Sequence, residues 1–105
     1  SDIKKAIAFL QERYWCNISL DDIAKEVNIS PYHLVRLFKS ETGKTPFEFL
    51  TDIKIEQAKK LITHSNFNMT EISGLCGFLN ASHFSIVFKK KTGYTPSEFK
   101  SHSMM

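Results

Sequence analysis

The chain contains one short string twice. Residues 42–49 read TGKTPFEF, and residues 92–99, fifty positions later, read TGYTPSEF. In each copy the glycine suits the left-handed position that follows the end of a helix. The threonine, proline and glutamate after it suit the first turn of a new helix. The string therefore predicts, at two equivalent places, the end of one helix and the start of the next.

The similarity between the two copies extends upstream. A shift of 50 residues pairs residues 30–49 with residues 80–99, including His33 with His83. Before Leu79, which is an extra residue in the second copy, the shift is 49 residues. We therefore predict that the 105 residues form a single region built from two similar halves.

Each half contains a predicted helix-turn-helix. Ser19 with Asp22, and Asn68 with Glu71, have the residue types and the spacing of a capping box. A short apolar helix follows each pair and leads into a turn that contains Asn or Gly, the residues that best tolerate positive φ. A second helix begins after each turn.

These start and stop signals predict seven helices, and no segment shows the alternation typical of strands. The helices are expected at about Ile3 to Tyr14, Leu20 to Val27, Pro31 to Thr42, Pro46 to His64, Met69 to Cys76, Ala81 to Thr92 and Pro96 to His102. The predicted fold class is all-α, with two helix-turn-helix subdomains joined by a long central helix. We expect the first half at residues 1–45, the linking helix at 46–65 and the second half at 66–105.

Charge and composition leave the partner open but argue against several classes of protein. Fourteen basic and eleven acidic residues give a net charge of +3, which permits an anionic partner without requiring one. Cys16 and Cys76 lack CxxC partners and histidines at ligand spacing, so neither a disulfide framework nor a metal site is expected. The chain has no glycine-rich phosphate loop and no nucleophile elbow, so we expect neither an enzyme nor a cofactor.

The predicted third and sixth helices each have an apolar stripe and an opposite polar face. The stripes consist of Leu34, Leu37 and Phe38 on the third helix and Phe84, Val87 and Phe88 on the sixth. The opposite faces carry Tyr32, Val35, Arg36 and Lys39 on the third helix and Ser82, Ser85, Ile86 and Lys89 on the sixth. One such face is usually ordinary solvated surface, whereas two equivalent faces favour contacts with two segments of DNA major groove, since the groove admits one helix at a time. The central helix, at roughly 28 Å, is comparable in length with the ~34 Å turn of the duplex.

The sequence resembles the AraC/XylS family of bacterial transcription regulators over nearly its whole length. The matching residues in the second half are Ile72 through Gly77-Phe78, Phe84, Phe88-Lys89, Gly93, Thr95-Pro96 and Phe99-Lys100. Those in the first half and the central helix are Ile23-Ala24, His33-Leu34, Arg36-Leu37-Phe38-Lys39, Lys54-Ile55, Ala58 and Leu61-Ile62. The resemblance implies a DNA-binding domain of seven helices whose third and sixth helices enter adjacent major grooves.

Two residues depart from the family pattern. Ile86 stands where an arginine is common in the second reading helix, and Lys54 stands where an arginine is common in the bridging helix. Ile86 cannot donate to a guanine, but it could lie against a thymine methyl group, so the second half is expected to read weakly or to prefer A·T pairs. The alternative, which the sequence supports equally well, is that Ile86 is buried against its own protein.

Within the resemblance, twelve residues are predicted to contact DNA. They are Tyr32, Val35, Arg36, Lys39, Ser40, Asn80, Ala81, Ser82, Ser85, Ile86, Lys89 and Lys90. Arg36 is the strongest candidate for reading a base, because guanidinium binds guanine O6 and N7 through two hydrogen bonds. Its alternative is a salt bridge with Glu41 or Asp52. The candidates for phosphate contacts are Lys39, Lys44, Lys89, Lys90 and Lys91. Asn80 suits an N-cap better than a base contact. Trp15 is expected to close the core after the first helix.

Partners other than DNA stay open at this level. A helical protein-interaction module is the alternative function, and Asp21, Asp22 and Glu26 could dock a partner such as RNA polymerase. The apolar runs are too short to cross a membrane, so a soluble, cytoplasmic protein is expected. Because the chain begins with Ser rather than Met, we expect a piece of a longer protein whose sensor, receiver or dimerisation domain is missing. Activation and repression are equally compatible with the sequence.

Overall fold

The structure, a computed structural model, describes residues 1–103 and contains seven α-helices and no strand in that range. The helices are α1 (Asp2–Arg13), α2 (Leu20–Val27), α3 (Pro31–Thr42), α4 (Pro46–His64), α5 (Met69–Leu75), α6 (Ala81–Thr92) and α7 (Pro96–Ser103). The all-α prediction is confirmed. Where a helix end differs from its predicted position, the difference is a single residue.

The chain divides into two compact units, Ser1–Ile53 and Lys54–Met105. The dividing point lies inside α4, whose first turns belong to the first unit and whose remaining turns belong to the second. The division predicted from the sequence, into residues 1–45, 46–65 and 66–105, stays a prediction. Residues 104–105, at the end of the predicted second half, lie outside the described residues.

The core of the first unit forms where α1, α2 and α3 pack on one another. Leu10, Ile23, Leu34 and Phe38 are fully buried in it. The ring of Phe49, from α4, meets the ring of Phe38 edge-on at a centroid distance of 5.3 Å. Aromatic and aliphatic side chains from α1, α2 and α4 therefore enclose the inner face of α3.

The core of the second unit has an equivalent arrangement around α6. Ile72 on α5 and Phe84 and Phe88 on α6 are fully buried there, together with Ala58 from α4. The ring of Phe99, on α7, meets the ring of Phe88 edge-on at 5.3 Å, as Phe49 meets Phe38 in the first unit. The sequence repeat is thus also a repeat of core packing.

The predicted capping boxes are present. The backbone N–H of Asp22 donates to Ser19 Oγ at 3.0 Å, and the backbone N–H of Ser19 donates to Asp22 Oδ2 at 2.9 Å. Asn68 and Glu71 exchange the same two bonds at 2.8 and 3.0 Å. The hydrogen bond from the Ser19 backbone lowers the pKa of Asp22, because it favours the ionised carboxylate. These bonds satisfy amides that a helix start otherwise leaves without partners.

The duplicated string forms the predicted stop and start. Gly43 and Gly93 end α3 and α6 in the left-handed conformation, with φ of 80° and 84°. Thr45 Oγ1 then accepts from the Glu48 backbone N–H, and Thr95 Oγ1 accepts from that of Glu98. The two copies are therefore the same hydrogen-bonded junction between helices.

The prediction that Trp15 closes the core is wrong. Its side chain is 56% exposed, and its Nε1 donates to the carbonyl oxygen of Glu12 at 3.1 Å. Tyr14, Cys16 and Ile18 pack against the core in this segment instead. Because the chain leaves α1 in a turn at this point, only some of the neighbouring side chains can face inward, and the smaller Ile18 takes the buried place.

Candidate nucleic-acid interface

The second helices of the two helix-turn-helix motifs, α3 and α6, bury and expose the same positions. From residues 31–49 to residues 81–99 the burial class is identical at every position when the sequences are shifted by 50. The apolar stripes predicted for both helices are confirmed, with Leu37 and Val87 half-buried at their margins. Whatever lies outward on α3 therefore has a counterpart outward on α6.

The outward face of α3 centres on Tyr32 and Arg36, which lie one helical turn apart. Tyr32 is 73% exposed, and the guanidinium of Arg36 lies over its ring, 5.7 Å from the centroid. This cation–π contact holds the Arg36 side chain on the outer surface of the helix. Lys39 and Ser40 are exposed further along α3, and Val35 is half-buried beside them.

One of the two carboxylates considered as a salt-bridge partner of Arg36 pairs with a lysine instead. Asp52, one of the two carboxylates considered, accepts a hydrogen bond from Lys44. This hydrogen bond raises the pKa of Lys44. Lys44 is therefore engaged within the first unit, whereas the guanidinium of Arg36 is placed beside an aromatic ring on an open face.

The outward face of α6 has a different chemistry at the equivalent positions. Ser82 is exposed where α3 has Tyr32, and Ile86 is 69% exposed where α3 has Arg36. Lys89 and Lys90 are exposed on the next turn, and Ser85 is half-buried. The alternative in which Ile86 is buried against its own protein is therefore wrong. Phe84 and Phe88 occupy the inner face of α6, so Ile86 is left on the opposite side.

The N-terminal ends of both helices are closed by side chains. Ser30 Oγ accepts from the backbone N–H of His33 at 3.2 Å, and Asn80 Oδ1 accepts from that of His83 at 2.8 Å. Asn80 thus serves as the N-cap, which was the alternative to base contact. Ala81, the first residue of α6, is half-buried beside it.

Lys54 makes a contact with a residue 23 positions away in the sequence. Its Nζ donates to the carbonyl oxygen of Gly77 at 2.9 Å and lies 5.6 Å from the ring centroid of Phe78. Gly77 has a φ of 79°, and the Phe78 ring packs on Phe84 at 4.9 Å. Burial lowers the pKa of Lys54, because it removes water from the charged form. Lys54 therefore ties α4 to the turn that sets the start of α6.

Comparison with known proteins identifies this arrangement. The sequence matches the helix-turn-helix domain family over residues 23–102. The fold superimposes with a TM-score of 0.91 on a transcriptional regulator from Chromobacterium violaceum described as containing an AraC-type DNA-binding domain; the two share 26% identity over 97% of this chain and 91% of that one. The chain belongs to the AraC-type helix-turn-helix family. It is a DNA-binding domain of the transcriptional-regulator type.

Relatives of this AraC-type domain include longer proteins. An uncharacterised helix-turn-helix-type transcriptional regulator of Pseudoalteromonas carrageenovora is 37% identical over 98 residues, which cover 93% of this chain and 58% of the relative. The lactose operon transcription activator of Staphylococcus xylosus is 36% identical over 101 residues, which cover 96% of this chain and 36% of the relative. The chain thus spans about half or less of the length of these relatives.

The described part of the AraC-type domain offers few other kinds of site. Within residues 1–103 no group of three or more His, Cys, Asp or Glu side chains is placed to hold a metal ion. No helix in the same range is long and apolar enough to cross a membrane. Both cysteine thiols are free, with Cys76 buried and Cys16 half-buried. The exposed faces of α3, in the first unit, and of α6, in the second, are the candidate sites.

Proposed function

We propose that this domain binds double-stranded DNA sequence-specifically by inserting α3 and α6 into adjacent major grooves. The observation that supports the proposal is the matched pair of outward faces on two helices whose inner faces are equally buried. A major groove is wide enough for one α-helix, so two reading helices require two groove segments about one helical turn apart. A domain built as a repeat is suited to such a bipartite site.

The two helices are proposed to use different side chains for different tasks. On α3, Arg36 forms hydrogen bonds with a base edge. Tyr32 and Val35 lie beside it and make apolar contact with sugar or thymine. On α6 the small side chains of Ser82 and Ser85 permit close approach to the bases. The exposed basic residues supply affinity and register through phosphate contacts, which carry no sequence information. These residues are Lys39 on α3 and Lys89 and Lys90 on α6.

The charges of the two units support unequal contributions to affinity. Residues 1–53 contain seven basic and eight acidic residues, a net charge of −1, whereas residues 54–105 contain seven basic and three acidic residues, a net charge of +4. Three of the latter lysines are consecutive at the end of α6. Phosphate neutralisation dominates the salt dependence of DNA binding. We therefore propose that the second unit supplies most of the salt-dependent part of the affinity.

The double variant Lys89→Ala/Lys90→Ala is expected to weaken binding to all duplexes alike. The slope of log affinity against log salt concentration should fall in magnitude by about 2, since roughly one counterion is released for each phosphate neutralised. The matched control is Lys4→Ala/Lys5→Ala, which removes two adjacent exposed lysines from α1. Fluorescence anisotropy at several salt concentrations measures both slopes. Equal slope changes in the two double variants would contradict the proposed role of α6.

Selection from a randomised duplex pool tests the proposal as a whole. We expect a bipartite site whose two half-sites lie about one helical turn, roughly 10 base pairs, apart centre to centre. Insertion of 5 base pairs between the half-sites turns the second one to the opposite side of the duplex, and should reduce affinity to that of a single half-site. A single uninterrupted site, or tolerance of the insertion, would contradict the use of two adjacent grooves.

A contact with RNA polymerase is also proposed, in an activator role that coexists with DNA binding. Asp21 and Glu26 are exposed on α2, and so is Asp22, although its carboxylate accepts a hydrogen bond from the Ser19 backbone. Asp21 and Glu26 are therefore the better candidates for docking a basic partner surface. The same role implies that the protein acts in the cytoplasm, beside the bacterial chromosome. It also implies that the protein is a DNA-bound regulator rather than an enzyme.

A further inference from the structure

We infer that the second unit identifies thymine through apolar contact between Ile86 and the 5-methyl group, whereas the first unit identifies its base through hydrogen bonds from Arg36. This inference rests on the proposed function and adds the chemical group that α6 recognises. Thymine is the one standard base that presents a methyl group in the major groove, so an aliphatic side chain can select it without a polar contact.

The repeat places Ile86 where α3 has its base-reading candidate. The shift of 50 residues converts Arg36 into Ile86, and the residues two positions before and after them, Leu34 and Phe38 or Phe84 and Phe88, are fully buried in both helices. Ile86 therefore projects from α6 as Arg36 projects from α3.

The surroundings of Ile86 favour contact with a methyl group. The side chain is 69% exposed, and the residues that precede it on the same face, Ser82 and Ser85, are too short to shield it. Exposed aliphatic surface is stabilised when it is covered by another apolar group. The serines leave room for a base edge to approach Ile86, which is the reverse of α3, where Tyr32 and Val35 flank a long polar side chain.

The charge on α6 favours DNA, rather than an apolar protein surface, as the group that covers Ile86. Lys89 is exposed three residues further along the helix, and Lys90 and Lys91 follow it. Residues 54–105 together carry a net charge of +4. An apolar side chain next to several ammonium groups is complementary to a thymine flanked by phosphates.

The test uses the bipartite site selected from the random pool by the wild-type chain. Each thymine of the half-site assigned to α6 is replaced in turn by deoxyuridine, which removes only the methyl group. Wild-type affinity is expected to fall roughly fourfold at the contacted position, the effect of one buried methyl-sized group. Ile86→Ala should bind the thymine and deoxyuridine duplexes equally, and Ile86→Arg should shift the preference at that base pair towards guanine.

Leu79→Ala is the matched control variant. Leu79 is 84% exposed in the turn before α6, so this variant removes a larger exposed apolar surface while leaving α6 unchanged. It is expected to keep the full deoxyuridine effect. Circular dichroism of all three variants should match the wild type, because neither residue belongs to the core.

The outcomes separate this inference from the proposed function. Specific duplex binding with no deoxyuridine effect, or a selected half-site without thymine, overturns the role of Ile86 and leaves the DNA-binding proposal intact. A deoxyuridine effect that persists in Ile86→Ala assigns the methyl contact to another residue and also overturns the inference. Absence of sequence-specific binding by the wild type overturns both.

Discussion

Replacing Arg36 by alanine is expected to abolish discrimination at one base pair, with a loss of about 1 to 3 kcal/mol for the preferred duplex. The guanidinium is exposed on α3 and is held over the Tyr32 ring at 5.7 Å, so little reorganisation is needed before it meets a base. The side chain is not part of the core cluster of the first unit, so the variant should fold normally. Selection from a randomised pool, repeated with the variant, measures the loss directly.

Two further variants separate base reading from other effects. Arg36→Lys retains the positive charge but cannot form two parallel hydrogen bonds in the fixed geometry of guanidinium, so it should keep most salt-dependent affinity and lose specificity. Arg13→Ala is the matched control, because Arg13 also lies over an aromatic ring, that of Phe9 at 5.8 Å, but belongs to α1. If Arg36→Ala selects the wild-type site unchanged, Arg36 does not read a base.

Replacing Phe88 by alanine is expected to lower the free energy of unfolding of the second unit by about 3 to 5 kcal/mol. The side chain is fully buried, and its ring contacts those of Phe84 and Phe99 at centroid distances of 5.6 and 5.3 Å. Truncation leaves a cavity and removes both edge-on ring contacts. Phe38→Ala should have an effect of similar size in the first unit, because Phe38 holds the equivalent position.

Labelling of Cys76 by iodoacetamide measures opening of the second unit. Burial raises the pKa of this thiol to about 11, so at pH 8 the reactive thiolate is scarce in the folded unit. Labelling of Cys76 in Phe88→Ala should be much faster than in the wild type, and much faster than in the control Phe67→Ala, whose side chain is exposed. Equal labelling in the two variants would contradict the structural role of Phe88. If Phe88→Ala does not fold, the milder Phe88→Leu provides the comparison.

Local hydrogen bonding explains why the elements of this fold can be predicted from the sequence. A capping box joins residues three positions apart, as Ser19 and Asp22 do, so its signal lies within one short segment. The left-handed glycines Gly43 and Gly93 are equally local. The inward residues of α3 and α6 follow from helical periodicity alone. The repeat then doubles the evidence, because every local signal occurs twice.

Contacts between distant residues leave no signal within a short segment of sequence. Lys54 and Gly77 are 23 positions apart, and only the packed second unit brings the ammonium of Lys54 to the turn before α6. The dependence of candidate phosphate contacts on such packing is shown by Lys44, which pairs with Asp52. The sequence does not distinguish a lysine that pairs with a carboxylate of its own unit from one that is exposed to a partner. Tertiary structure decides which of the two it is.

The amino-acid sequence by itself determined the seven helices, their caps and the inner faces of α3 and α6, because these depend on interactions within a few residues. Tertiary structure alone decided that Ile86 is exposed and that Trp15 lies outside the core. Both are large apolar side chains, and local propensity cannot rank them against the others that compete for a limited core volume. Close packing within each unit makes that choice, since a place filled by Ile18 or Phe84 is closed to another side chain.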